Sequence, residues 1–368
     1  MKNKISKYDF LIVGAGLIGT LTALALYLKK YKVLVIDNKK NIPIDRRTLA
    51  VNANSKDFLK QIGIWEMLKS KPQPIEKIII KDYINIAPLI FSNSNEPMGN
   101  VIFNSELLKI TTAKLEKLQI LIKNVNLNIN DLLPDKNILV NKKNYQFKKI
   151  IMSVGKNITT NPLNKRIIFN KGHYAYVGFF KHKKNHQNTA YEIFNQDGPL
   201  AVLPTPYINN NKSTFIYSSR AKTSFIKINS LIEKNFTKTH GQIFFDKLIY
   251  KFPITPHLQK NNSNFIFVGD TLKSIHPVAG QGWNLGIKDI QTLCDLTEKY
   301  SLDFEDFNKI YYSKRIIEST VYLGFTSALN FLYENKKTIN NNIIKIGYES
   351  LRVFKPLREL FIKQAMGR

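Results

Sequence analysis

The amino-acid sequence predicts an α/β protein, and three stretches carry that reading. In "DFLIVGAGLIGTLTALALYLKK" (9–30) an apolar strand-like run leads straight into Gly14, Gly16 and Gly19 in G-x-G-x-x-G spacing, then into a helix-like run from Leu17 to Lys30. A second apolar run, "KVLVID" (32–37), ends in an acid. Much later, "NFIFVGD" (264–270) has the continuous apolar character of a parallel strand buried on both faces. Strand, glycine turn, helix, strand and acid in that order form a Rossmann-like β-α-β unit. The return of a parallel strand near residue 265 makes that domain discontinuous.

The glycine positions have a mechanical reading. The first permits a tight turn, the second lets backbone approach a pyrophosphate, and the third lets the helix pack close to the strand. Asp37 stands 21 positions after Gly16, near the roughly 20-residue offset at which a carboxylate meets the ribose hydroxyls of a dinucleotide. Two other readings of this stretch leave the glycines unexplained. A secretory signal needs a small-residue cleavage site after its apolar part, whereas Lys29, Lys30 and Lys32 follow directly. A membrane span from Phe10 to Leu28 would barely cross roughly 30 Å of hydrocarbon, and its three glycines and two threonines weaken it further.

Beyond this unit, Ser55 is placed to cap a helix with Phe58, Leu59 and Ile62 at helical spacing. Residues 72–103 read as short strands such as "KIIIKDY" and "NVIF", separated by Pro, Asn and Ser. Glu106 to Leu118 reads as an amphipathic helix, followed by strand-like "ILIKNV" and "NILV". From about 166 to 258, "RIIF", "HYAYVGFF", "TAYEIF", "LAVLP" and "STFIYSS" alternate with polar turns, and one helix covers roughly 229–238. That is the pattern of an antiparallel sheet inserted into an α/β framework. From 304 onward the chain reads as largely helical.

With 368 residues, 43% of them hydrophobic, the chain can bury the core of two domains or one large one. The single cysteine, Cys294, excludes an internal disulfide and reads as a small buried side chain in a reducing compartment. His182 and His186 have i, i+4 spacing but sit in "KHKKNHQN" without the Glu of a zinc-protease helix. They read as part of a solvated basic loop, and no metal is expected. The net charge of +28 invites a nucleic-acid partner. The lysines are spread along the whole chain, however, and no helix-turn-helix, zinc-finger or RNP-like pattern occurs, so none is expected. A diffuse positive field suits an anionic membrane surface instead.

The second informative stretch is "FIFVGDTLKSIHPVAGQGWNLGIKDIQTL" (265–293). A strand ends at Gly269 and Asp270, a loop with His276 and Pro277 follows, and a helix begins near Gly280, Gln281 and Gly282. Free backbone N–H groups and the helix dipole at such a start stabilise negative charge.

These residues, with "GAGLIG", "DRRTLAVNANS" (45–55), "DGPLAVLPTP" (197–206) and the tail "PLRELFIKQAMG", resemble the flavoprotein aromatic hydroxylases of the para-hydroxybenzoate hydroxylase type, and more closely their ubiquinone-biosynthesis branch. The resemblance spans nearly the whole chain. It implies a discontinuous FAD-binding domain (1–71, 99–165 and 259–303), an antiparallel-sheet substrate domain (72–98 and 166–258) and a C-terminal helical region (304–368). It implies that Gly14, Gly16 and Gly19 hold the FAD pyrophosphate, that Asp37 binds the adenosine ribose, and that Arg47 lies near the flavin and its phosphates. Asp270 would hydrogen-bond the ribityl chain, Pro277, Gly280, Gln281, Gly282 and Asn284 would line the isoalloxazine, and His276 would stand beside it.

Two departures from the family pattern stand out. "GDTLK" replaces G-D-A-A-H, with Lys273 at the histidine position, and "SVG" (153–155) replaces A-D-G, with Val154 at the acid position. The second puts reduction by NAD(P)H, the reductant the family implies, in question. The implied activity is hydroxylation of a prenylated phenol by O2 through a flavin C4a-hydroperoxide. The prenyl tail implies a cytoplasmic protein peripheral to the inner face of the membrane, within a quinone-biosynthesis complex. Leu351, Phe354, Leu357 and Phe361, interleaved with Arg352, Lys355, Arg358 and Lys363, suit either membrane contact or packing on protein, with Pro356 breaking or restarting that helix. An inactive flavin-binding subunit of such a complex is the alternative that the altered "SVG" leaves open.

Overall fold

A computed structural model describes residues 5–41, 45, 47–82, 87–127, 132, 137–156, 165–169, 172–195, 197–206, 210–219, 222–277, 280–334, 349–350, 352–353 and 355–367. The chain opens with β1 (Ser6–Val13), α1 (Leu17–Leu28) and β2 (Val33–Ile36). Next come β3 (Thr48–Val51), α2 (Ala53–Gln61), β4 (Gln73–Ile75), β5 (Lys77–Asp82), β6 (Leu89–Ser92), β7 (Gly99–Phe103) and α3 (Asn104–Lys117). The short β8 (Leu121–Ile122) precedes the hairpin of β9 (Asn137–Val140) and β10 (Lys143–Met152). The central part holds β11 (Arg166–Ile168), β12 (His173–His182), β13 (Thr189–Asn195), β14 (Gly198–Pro204), β15 (Lys212–Ser219), α4 (Phe225–His240), β16 (Ile243–Phe245), β17 (Tyr250–Ile254) and β18 (His257–Gln259). The chain closes with β19 (Phe265–Phe267), β20 (Lys273–Ser274), α5 (Gly282–Lys299), α6 (Phe307–Glu334) and α7 (Lys355–Ala365).

A six-stranded sheet in the order β19-β10-β1-β2-β8, with β9 on the free half of β10, forms the frame. Toward their carboxyl ends its strands alternate between two apolar layers, as the two-residue pleat requires. Phe10, Ile12, Val33, Val35, Ile151 and Ile266 face one layer with α1 and α5. Leu11, Leu34, Ile36, Ile150, Met152, Phe265 and Phe267 face the other. Burial on both sides explains why these strands read as unbroken apolar runs. It also explains α1, in which Gly19 to Leu26 are all buried.

The central strands form an eight-stranded sheet, β16-β12-β15-β14-β13-β5-β6 with β17 on β12. It is antiparallel except at one seam, where β13 runs parallel to β5 over Thr189–Phe194. Helix α4 covers one face with Ile228, Ile232 and Phe236, the i, i+4, i+8 stripe of an amphipathic helix. Two further three-stranded sheets have the orders β3-β7-β4 and β11-β18-β20.

Two local readings of the sequence are corrected. Ser55 does not cap α2; it lies inside that helix, and the Asn52 side chain accepts its amide at 2.9 Å as the N-cap. His182 and His186 are not solvated; their residues are 1% and 2% exposed. Strand β12 runs on to His182, and its alternation turns Lys181 outward and His182 inward. There His182 meets His240 edge-on at 4.6 Å, while Phe180 and Phe236 enclose the group. Among the described residues no set of three His, Cys, Asp or Glu side chains is arranged to hold a metal ion. Cys294 is buried, as expected, and burial pushes its thiol up to about 12, leaving it protonated and inert.

The histidines make stability depend on acid. Burial, followed by repulsion from its histidine neighbours, pushes His240 down to about 3, and burial with His182 pushes His186 down to about 4. The unfolded chain binds these protons near pH 6.5 and the folded chain does not. Stability is therefore complete above about pH 6.5 and falls as pH drops toward 4, with a slope approaching about 1.4 kcal/mol per pH unit per histidine. Urea unfolding at pH 7.5 and pH 5 should differ by about 2 kcal/mol or more, and His240→Phe should reduce that difference; a flat profile would refute the account.

Candidate active site

The parallel frame brings together turns that are far apart in sequence. Strands β1, β10 and β19 end in register at Val13, Met152 and Phe267, so the turns that follow share one edge of the sheet. This is the carboxyl end, where α/β sheets bind their ligands. After β1 comes the turn of Gly14 to Gly19; after β10, Ser153 to Gly155; after β19, the single helical turn Gly269–Thr271.

The contacts explain the glycine spacing. Gly14 has φ +104°, and a Cβ there would stand 2.3 Å from the Ser153 carbonyl oxygen. At Gly19 a Cβ would stand 2.0 Å from the Gly14 carbonyl oxygen. Gly16 differs, with nothing among the described residues within 4 Å of an added Cβ, and there a pyrophosphate would approach. Ile18 then wedges between the two halves of the site. A Cβ on Gly269 would meet its side chain at 3.0 Å and one on Gly286 at 2.7 Å, so the start of α1 packs directly on the turn after β19 and on α5.

The side chains follow. Asp37 Oδ2 accepts the Ala15 amide at 2.6 Å and Oδ1 the Lys39 amide at 2.7 Å, which holds the carboxylate at the first glycine turn. Arg47 grips Asp45 with Nε and Nη2 at 2.6–3.0 Å and lies 4.7 Å over the Phe252 ring of β17. Burial works against the Arg47 charge, but the Asp45 carboxylate outweighs it and, with Asp270, raises the guanidinium above its usual range. Asp270 lies 4.0 Å from Lys156.

His276 is buried, its Nδ1 has no hydrogen-bond partner among the described residues, and its ring meets His173 edge-on at 5.7 Å. Burial, then His173 and Lys156, push it down to about 3. Pro277 follows it, and residues 278–279 of the same loop lie outside the described ones. Gly280 has φ +61° with only Ala50 near its Cβ position, at 3.4 Å. Gln281 is the N-cap of α5 and Gly282 its first residue. Asn284 is not open to a ligand through its carboxamide: Oδ1 accepts the Asn52 amide at 3.2 Å, and Nδ2 donates to the Ala50 carbonyl at 3.0 Å. Val154 packs into the second apolar layer, and the Gly155 amide donates to Thr271 Oγ1 at 2.9 Å.

These features fit FAD. Helices α1 and α5 both start without a side-chain cap and without an acid in the first turn, so their free amides and positive dipole ends suit an anionic ligand. A shallow cavity of about 410 Å³ lined by Tyr31, Lys148 and Tyr300 lies at the other end of the strands and includes none of these residues.

Residues 7–120 match the model of the FAD binding domain family. Over 98% of its length the chain is 26% identical to the ubiquinone hydroxylase UbiL of Rhodospirillum rubrum, covering 89% of that protein. It is 26% identical to the 3-demethoxyubiquinol 3-hydroxylase of Escherichia coli over 78% of this chain and 79% of that one. Among solved structures, p-nitrophenol 4-monooxygenase PnpA from Pseudomonas putida superposes with a TM-score of 0.74 at 14% identity, covering 98% of this chain and 99% of that one. The chain is a flavoprotein hydroxylase that takes FAD.

Several residues of the hydroxylase that shape this edge went unread in the sequence. Asp45 partners Arg47, Thr271 ties two turns together, and Asp289 accepts the Gly269 amide at 2.9 Å. A signal for Asp289 existed: it is an acid on the same face of α5 as the buried Gly286, Ile290 and Leu293, and an acid on an apolar face needs a buried partner.

The two kinds of glycine separate by substitution. Gly19→Ala should destabilise the hydroxylase by about 1–3 kcal/mol through overpacking. Gly16→Ala should leave thermal unfolding within about 1 kcal/mol of wild type while weakening FAD at least tenfold. Thermal melts of the apo-protein with fluorescence titration of FAD check both.

Proposed function

We propose that the hydroxylase acts on the aromatic ring of a prenylated phenol or quinone precursor in ubiquinone biosynthesis. The packing of Ile18, at the start of α1, on Gly269 and Gly286 carries the FAD part of this reading; the names of relatives matching over nearly the whole chain support the substrate. Reduced FAD, when bound, supplies the activation of dioxygen. The chain's own residues bind, orient and keep water out.

In this reading Gly14, Gly16 and Gly19 accommodate the pyrophosphate, Asp37 the ribose, Asp270 the ribityl chain, and Arg47 the neighbourhood of the phosphates. Pro277, Gly280, Gln281 and Gly282 border the ring through backbone, and Asn284 supports them by pinning α5 to Ala50 and Asn52. His276 serves as a hydrogen-bond acceptor for the ring hydroxyl. A group protonating near pH 3 is too weak a base to take the proton of a phenol, whose pKa is about 10. NAD(P)H is the reductant; Val154 brings no charge to meet it. The FAD domain takes residues 1–71, 99–165 and 259–303, the substrate domain 72–98 and 166–258, and the helical region 304–368.

The prenyl tail calls for contact with a membrane, on its inner face, without crossing it, in company with other quinone-biosynthesis proteins. Among the described residues no helix is long and apolar enough to span a bilayer. Helix α7 begins at Lys355, with Pro356 in its first turn, where proline is tolerated. Its far end packs on protein through Ile362 and Met366, against Phe91 and Met98. Leu351, Phe354 and the side chains of Leu357 and Phe361 lie outside the described residues. Val353, Lys355 and Lys363 are exposed, and we place the membrane contact there.

Purified protein should bind FAD and, with NAD(P)H and a prenylated phenol, consume oxygen and give a product 16 mass units heavier by mass spectrometry, one added oxygen. His276→Ala should turn over about tenfold more slowly at unchanged FAD affinity, the effect of one lost hydrogen bond. FAD binding without product would sink the substrate assignment. The double variant Lys355→Glu, Lys363→Glu should sediment with anionic vesicles at least tenfold less well, since each basic residue near such a surface contributes about 1 kcal/mol; equal sedimentation would remove α7 as the contact.

A further inference from the structure

Behind the two flavin-side turns lies a group of charges that the function proposed above does not use. Asp289, on α5, has no exposed surface. Its Oδ2 accepts the Gly269 amide at 2.9 Å, and its Oδ1 accepts both Lys273 Nζ at 2.5 Å and Arg315 Nε at 2.7 Å. Lys273 and Arg315 side chains are 2% and 4% exposed. Arg315 passes the connection on to Glu318, which Lys288 also reaches, at 2.7 Å.

One carboxylate thus joins the turn after β19, strand β20 and helices α5 and α6. Buried ion groups of this kind rarely stabilise a fold more than apolar side chains of the same volume would. What they do provide is direction, because each bond fixes an atom in place. Gly269 sits in the left-handed region, at φ +60°, and its N–H, part of the Val268–Gly269 peptide, donates to Asp289, so that bond fixes the backbone leading into the turn that carries Asp270. Lys273 reaches the same carboxylate from the position at which this chain departs from G-D-A-A-H.

We propose that Asp289 is the positioning residue of the flavin site, holding the Gly269–Asp270 turn and the start of α5 in one arrangement, with Lys273 as its cationic partner. This rests on the FAD reading above. Wild-type apo-protein, Asp289→Ala, Lys273→Met and Lys273→Arg should be titrated with FAD, with bound-flavin absorbance and hydrogen exchange at the Gly269 amide recorded for each. Asp289→Ala should weaken FAD at least tenfold, shift the flavin band and speed exchange at Gly269 in the apo-protein. Lys273→Met should weaken FAD at least threefold, and Lys273→Arg should restore it to within twofold. Wild-type affinity and spectrum in folded Asp289→Ala and Lys273→Met would overturn the proposal. Should Asp289→Ala fail to fold, the Lys273 pair decides: tight binding by Lys273→Met overturns it, loss rescued by arginine upholds it. If wild type itself refuses FAD, the cofactor reading fails, while exchange at Gly269 still reads the role of Asp289 on the turn.

Discussion

The close approach of backbone at the carboxyl edge of the parallel sheet is the constraint from which the rest follows. Gly19 lies against the Gly14 carbonyl, Gly14 against Ser153, and Ile18 is enclosed by Gly269 and Gly286. No side chain larger than hydrogen fits at these points. Three strands in register and two helices can therefore converge on one small region, and the amides at both helix starts remain free to face a ligand. A loosely packed edge would leave the same residues too far apart to share one cofactor.

Much of this was legible in the sequence, for local reasons. A strand buried on both faces writes an unbroken apolar run, and "VLVI" and "FIF" are buried throughout. A glycine turn between strand and helix has few alternative explanations, and Asp37 stands where the unit needs it. The misreadings also have local causes. Asn52 and Ser55 are both good capping residues, and only the backbone geometry decides between them. The lysines around His182 suggested solvent, but in a strand the neighbours of an inward side chain point outward; Lys181 and His182 obey that rule. The parallel seam between β5 and β13 was beyond reach, since pairing between strands a hundred residues apart leaves no mark in either one.

Electrostatics divides the molecule in the same way. Its large positive charge is spread over exposed lysines, where salt screens it and each charge contributes little. At the site, buried charge is matched: Asp289 with Lys273 and Arg315, and half-buried Asp45 with Arg47. The histidines take the other course and stay neutral. At the carboxyl edge this leaves the His276 imidazole neutral in the physiological range, and Asp289 as a carboxylate that already carries three bonds.

The order of strands in the frame has a consequence during synthesis. β10 is made well before β19, which covers its outer end at Ile150, Ile151 and Met152, and all strands of the inserted sheet except β5 and β6 are translated in between. At roughly 5–20 residues per second, the ribosome needs on the order of ten seconds for that insert. For that interval the nascent frame presents an unpaired apolar edge, shielded only along its first half by β9. Such an edge is a template for pairing with other chains. The yield of soluble protein in the cell is thereby linked to the speed at which the insert collapses and to the availability of chaperones at the tunnel exit.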